Sequence, residues 1–173
     1  MLVLMCGTSF SGRSTFARAL AAEIHGLIIS LDEINERRGL WGGDGIPVEE
    51  WQRTHQIATA KVRTHLLGAG AGSGAGARWV VVDDTSSLRV LRDGWRGLAA
   101  ELGVGFALIY LDVDHATIRR RLAENRVGWG RRDVADVVLE EHLAGFERPA
   151  EDEGAVRVGS VDDLVQVLKY LVI

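Results

Sequence analysis

The segment Gly7-Thr8-Ser9-Phe10-Ser11-Gly12-Arg13-Ser14-Thr15 sets two glycines five positions apart and follows them with a cation and two hydroxyls. It fits the phosphate-binding pattern G-x-x-x-x-G-K-[ST] at every fixed position but one, where Arg13 stands in place of lysine. Glycines at both ends let the backbone curl so that successive N–H groups point at an anion, and a helix beginning there adds its partial positive charge. The residues expected around a nucleoside triphosphate are therefore Gly7, Ser9, Ser11, Gly12, Arg13, Ser14 and Thr15, with the Ser14 hydroxyl on a Mg2+ ion bound to the β- and γ-phosphates. A glycine-rich turn holding no ligand is the alternative, and the strand and helix on either side argue against it.

Three further groups of residues suit phosphoryl transfer. Asp83 closes the apolar run Trp79-Val80-Val81-Val82 and is placed to help hold Mg2+, with Asp84 as the adjacent alternative. Asp32 ends Leu27-Ile28-Ile29-Ser30-Leu31 and is placed to accept the proton of a substrate hydroxyl; capping after a strand is the plainer role for each. From Arg119 to Arg132 six arginines (119, 120, 121, 126, 131, 132) meet one acid, Glu124. Arginines on a mobile lid stabilise charge spreading over the transferred phosphoryl oxygens. Arg119 and Arg120 read as a solvated helix face, whereas Arg126, Arg131 and Arg132 flank the break Gly128-Trp129-Gly130. Trp51 and His55 lie four apart on one helical face, to line an acceptor pocket or simply to pack.

The elements that must position these groups alternate along the chain. Strands are expected at Leu2–Cys6, Leu27–Leu31, Trp79–Val82, Phe106–Val113 and Ala155–Val158, and helices at Phe16–Ile24, Val48–Leu67, Ser87–Leu102, from Asp114 to about Asn125, Asp133–Phe146 and Val161–Leu171. Residues 33–47, with five glycines or prolines, read as a long irregular substrate loop, 68–76 as a flexible connection, and about 115–146 as a helical arginine-rich lid. The pattern predicts one domain over residues 1–173, a three-layer α/β/α sandwich around a five-stranded, mainly parallel sheet, with ligands at the carboxyl ends of the strands.

Composition limits the function classes. A formal net charge of −4 argues against broad, sequence-blind nucleic-acid binding, leaving a local basic groove open. A single cysteine excludes an internal disulfide and fits a reducing, cytoplasmic setting; Cys6 itself reads as a small buried hydrophobe. The first apolar run spans five residues, too short for a signal peptide or a membrane span. The five histidines and single cysteine show no transition-metal spacing. Of the 20 basic residues, all but Lys61 and Lys169 are arginine, a bias under which drift from lysine to Arg13 is natural; deliberate replacement is the alternative.

Together the phosphate loop, Leu31-Asp32-Glu33, Val82-Asp83-Asp84-Thr85 and Asn125-Arg126…Arg132-x-Val134-x-Asp136-x-Val138 resemble the small P-loop kinases of the AAA_33 type. That group is related to polynucleotide kinase, zeta-toxin and chloramphenicol phosphotransferase. The tail Phe146-Glu147-Arg148-Pro149-x-Glu151-Asp152-Glu153 is similar to a segment that follows the lid in several members, so the resemblance spans roughly residues 1–153. It implies a P-loop NTPase, nucleoside-kinase-like fold and ATP- and Mg2+-dependent transfer of the γ-phosphate to a hydroxyl. Asp32 is then the base, and Arg126 and Arg132 face the phosphates. Arg13 departs from the pattern: a planar guanidinium does not replace a compact ammonium conservatively. A small-molecule hydroxyl is the first acceptor expected, a polynucleotide 5′-hydroxyl the second, and nucleotide binding with little catalysis the third.

Overall fold

In a computed structural model of the protein, residues 1–41, 45–68, 79–128 and 133–172 are described. Five strands, β1 (Leu2–Cys6), β2 (Leu27–Ser30), β3 (Val80–Asp83), β4 (Phe106–Leu111) and β5 (Val156–Val158), form one sheet in the order β2-β3-β1-β4-β5. Every pairing is parallel, with Leu4 opposite Val82 and Leu108, and Ser30 opposite Asp83. The carboxyl ends of β1, β2 and β3 thus share one edge, where the glycine-rich loop, Asp32 and Asp83 converge. The expected five-stranded parallel sheet between helical layers is what forms.

β1 lies at the centre and is buried on both faces, which is why its sequence is apolar without alternation. Its period of two still sorts the two cores. Leu2, Leu4 and Cys6 pack with Ala58 and Val62 of α3 (Val48–Leu67) and with Trp95 and Leu98 of α4 (Arg89–Glu101). Val3 and Met5 pack with Phe16 and Leu20 of α1 (Arg13–Glu23) and with Val167 and Leu171 of α7 (Leu164–Val172). Burial pushes the Cys6 thiol up to about 12, so it is an inert core residue, as its position predicts.

One expected element changes character. Residues 31–37 form α2 (Leu31–Arg37), not the start of an irregular loop. Ser30 caps it, its Oγ accepting from the Glu33 amide at 3.3 Å, and Asp32 and Glu33 occupy its first turn. Asp32 is therefore a helix residue. Its strand, β2, is separated from β1 by β3 and is not a direct neighbour of the strand that carries the loop. Arg38 fixes α2 on α3 through Glu50 and the Thr54 hydroxyl, and Thr54 Oγ1 donates to Asn35 Oδ1.

The third cluster belongs to α5 (His115–Gly128) and α6 (Asp136–Ala144). Ile118 and Leu122 of α5 pack with Val134 and with Val138, Leu139 and Leu143 of α6, and Phe10 of the glycine-rich loop enters the same cluster. Helix α6 begins at Asp136, not Asp133, and α5 extends to Gly128. The expected glycine break at 128–130 and the 68–76 connection lie mostly outside the described residues. Among those residues no helix is long and apolar enough to cross a membrane.

A buried ion pair holds the tail against the site. Arg92 Nε and Nη2 donate to both carboxylate oxygens of Glu153, at 2.6 and 2.8 Å, and Nη1 donates to the carbonyls of Ser86 and Glu147. Ser86 sits at φ 47, in the left-handed region, two residues from Asp84. Arg92→Met would leave the Glu153 carboxylate buried without its partner. Loss of one member of such a pair costs about 3–5 kcal/mol. The urea midpoint is expected to fall accordingly at an unchanged m-value, and a loss below about 1 kcal/mol would contradict this role.

Candidate active site

The loop from Gly7 to Gly12 takes the conformation its glycines permit. A Cβ at Gly7 would stand 2.9 Å from Ser11 Oγ and 3.0 Å from Leu111 Cβ, and Gly12 has φ 94 where it opens α1. Thr8 and Ser11 are buried, Ser9 and Ser14 partly exposed, and Thr15 exposed on the first turn of α1. Ser11 Oγ is buried and makes no hydrogen bond. Buried hydroxyls are normally satisfied, so an orphan hydroxyl in the glycine-rich loop, beside Gly7, fits an anion as its missing partner.

Arg13 is the centre of the site, and its guanidinium is drawn into a nest of acids. Nε donates to Asp83 Oδ1 at 2.5 Å and Nη2 to Asp32 Oδ2 at 3.3 Å. Nη1 donates to the Gly7 carbonyl at 3.1 Å and to Thr85 Oγ1 at 3.0 Å. Burial alone would weaken its charge, but Asp83, then Asp32 and Asp84, more than offset this and hold the guanidinium more firmly protonated than a free arginine. The fork that distinguishes arginine from lysine is what allows one side chain to span both acids. The Asp83 side chain is 5% exposed and that of Asp32 45%, so Asp83 is the structural partner and Asp32 the accessible one.

These contacts bear on the expected Mg2+. Ser14 and Asp83 were its expected protein ligands, but Asp83 is in direct contact with a cation already. Among the described residues no group of three or more His, Cys, Asp or Glu side chains is arranged to hold a metal. With Asp83 paired to Arg13, the chemistry below is derived from the chain's own groups.

The arginine-rich segment divides by partner. Arg119 pairs with Glu140 of α6 at 2.7 Å, and Arg120 lies 3.7 Å from Glu124. Arg126 is engaged within the lid, by Asp133 and Asp136 at 2.9 Å each and by the Val134 carbonyl. Arg131 and Arg132 lie outside the described residues. Arg121, which the sequence did not single out, reaches the loop: Nη1 donates to the carbonyls of Phe10 and Ser11 at 3.0 and 2.8 Å. The signal was present in its spacing, since Arg121 lies on the α5 face between Ile118 and Leu122, the face that packs on Phe10. Trp41 Nε1 donates to the Asp133 carbonyl, joining the segment after α2 to the residues that precede α6.

Trp51 and His55 are both half-buried and stand beside each other, with ring centroids 6.4 Å apart; His55 also meets Trp95 at 6.1 Å. His55 Nε2 is 4.0 Å from Asp84 Oδ2, which also accepts from Ser86 Oγ at 2.9 Å. These rings line a cavity of about 960 Å³ between α3, α4 and α6, whose floor includes Asp84 and Thr85 and whose rim includes His142. Thr85 ties this floor to Arg13. The His142 imidazole keeps an exposed edge, yet crowding lowers its pKa, against the pull of Glu141 and Asp32. The glycine-rich loop, Asp32 and an open, aromatic-lined cavity are thus joined through Arg13 and Thr85, an arrangement able to bring a triphosphate and a second molecule together.

Residues 2–149 match the AAA_33 family, described as an AAA domain. No curated protein matches the sequence. Among solved structures, Chaetomium thermophilum Kti12 in complex with ADP-AlF3 is similar at a TM-score of 0.73 and 14% identity, covering 99% of this chain and 97% of that one. The Mycobacterium tuberculosis APS kinase CysC in complex with AMPPNP and APS aligns at 0.69 and 19%, covering 99% and 97%. A gluconokinase from Sinorhizobium meliloti 1021 aligns at 0.63 and 21%, covering 96% and 86%. At these identities the likeness is one of fold, and the fold is that of small P-loop kinases.

Proposed function

The chain belongs to the AAA_33 family, and from that premise we propose that it is an ATP-dependent phosphotransferase acting on a hydroxyl of a small molecule. The observation that carries this reading is the cavity lined by Trp51, His55, Asp84 and Thr85, joined to the glycine-rich loop by the Thr85–Arg13 bond. Loop amides and the unpartnered Ser11 hydroxyl bind the triphosphate, with Gly7, Ser9, Gly12, Ser14 and Thr15 framing it. Arg121 waits at the loop's outer carbonyls. Asp32 accepts the proton of the acceptor hydroxyl as its oxygen attacks the γ-phosphorus; the bond from that phosphorus to the β–γ bridging oxygen breaks, ADP leaves, and Asp32 later returns the proton to water. Arg126, through Asp133 and Asp136, fixes the start of α6 and so the position of the lid.

The acidic floor of the cavity favours this reading over a polynucleotide 5′-hydroxyl kinase, which needs a basic track to its acceptor. One observation favours a second reading, nucleotide binding with slow catalysis: Arg13 is held by the carboxylates of Asp83 and Asp32. Incubation with ATP labelled in the γ-phosphate separates them. Label is expected to pass to a small alcohol in step with ADP release. Label only on a single-stranded oligonucleotide, or nucleotide binding without turnover, would overturn the proposal.

A further inference from the structure

The charges lining the acceptor cavity are unbalanced. Its described acids are Asp84, Glu101 and Glu141; its one arginine, Arg63, is held by Glu101 through two bonds of 2.5 and 2.6 Å. That pair cancels, leaving Asp84 and Glu141 as the remaining carboxylates among the described lining residues, with no lysine or further arginine among them. Of the two imidazoles, His55 Nε2 faces Asp84 at 4.0 Å, and burial lowers the pKa of His142. Arg13, bonded to the lining residue Thr85, is enclosed by Asp83 and Asp32, and Arg92, bonded to the Ser86 carbonyl, is paired with Glu153. The same wall carries apolar surface from Trp51, Trp95, Leu91 and Leu98.

An anionic acceptor entering this space would meet two carboxylates and, among the described lining residues, no arginine or lysine outside the Arg63–Glu101 pair. An amine entering it would find partners. Flat rings and methylene groups would be covered by the two indoles, and about 960 Å³ is ample for a drug-sized molecule. We infer that the acceptor site selects cationic amphiphilic alcohols: molecules with a hydroxyl, a protonated amine and an apolar or aromatic body, and that it discriminates against carboxylate, sulfate and phosphate acceptors. The hydroxyl rests on the phosphotransferase reading; the charge and apolar preferences rest on the cavity alone.

Three probes of one shape test this by calorimetry on the intact chain without nucleotide: phenylalaninol (cation), 3-phenylpropanol (neutral) and phenyllactate (anion). Binding at millimolar concentration is expected in that order, with phenylalaninol at least about tenfold tighter than phenyllactate. Glu141 is exposed, so Glu141→Gln and Glu141→Lys leave the fold intact. The first is expected to reduce the preference for the cation by about threefold without moving 3-phenylpropanol, and the second to raise phenyllactate binding by about tenfold. Phenyllactate binding as tightly as phenylalaninol, insensitivity to both variants, or no binding of any probe would overturn the inference. Ordered binding without any phosphate transfer to phenylalaninol would leave the inference standing and count against the phosphotransferase reading instead.

Discussion

Arg13→Lys is expected to raise the rate of phosphoryl transfer by about 100-fold while lowering stability. The guanidinium bridges Asp83 and Asp32, with further bonds to the Gly7 carbonyl and Thr85. A lysine ammonium lacks the fork and cannot hold both acids at once, so it is free to meet the phosphates and leaves Asp32 to the substrate. Misplacement of one reacting group by about 1 Å costs about 100-fold, and that is the scale of the expected gain. Stability falls because Asp83 is buried and loses the guanidinium that pairs with it. A melting point lowered by a few degrees with faster turnover supports the account. Slower turnover in Arg13→Lys would show that the guanidinium itself serves the reaction.

Asp32→Asn is expected to lower kcat by about 10²–10⁴, the span assigned to a positioned general base, with little change in nucleotide affinity. The amide preserves shape and the first turn of α2, and Ser30 still caps that helix through Glu33. What disappears is a carboxylate that is about half exposed, next to Arg13, and felt by His142 at the cavity rim. Rapid single-turnover measurement with γ-labelled ATP separates chemistry from binding. Unchanged kcat would assign Asp32 to holding Arg13 and favour nucleotide binding without efficient catalysis.

The fold was largely legible because its signals are local. Five apolar runs of strand length alternate with helical periodicity, and β1 ends where the glycine-rich loop begins. The AAA_33 resemblance read from the loop and lid residues matches the family that residues 2–149 belong to. Helix α2 was hidden by the glycines that follow it, although Ser30-x-x-Glu33 carries the spacing of a helix start. Strand order was not legible, since nothing in β2 or β3 states which of them pairs with β1. Side-chain partnerships were the least accessible. That Trp51 and His55 neighbour each other follows from four-residue spacing, but their meeting with Asp84 depends on packing between α3 and the end of β3. Likewise Arg13, Asp32 and Asp83 were each identifiable as chemically capable. Their direct contact, over separations of 19 and 70 residues, is a property of the sheet edge and not of any segment.

The central claim is that a nucleoside triphosphate in the glycine-rich loop presents its γ-phosphate to Asp32 and to the aromatic cavity. A crystal structure with AMPPNP tests it most directly. The account predicts β- and γ-phosphates within the Gly7–Thr15 loop, Ser11 Oγ bonded to a phosphate oxygen, and the γ-phosphorus facing the Asp32 carboxylate with room for a hydroxyl oxygen about 3–3.5 Å from it. Phosphates bound away from the loop, or a γ-phosphate turned from Asp32 with Arg13 still joined to both acids, would contradict it.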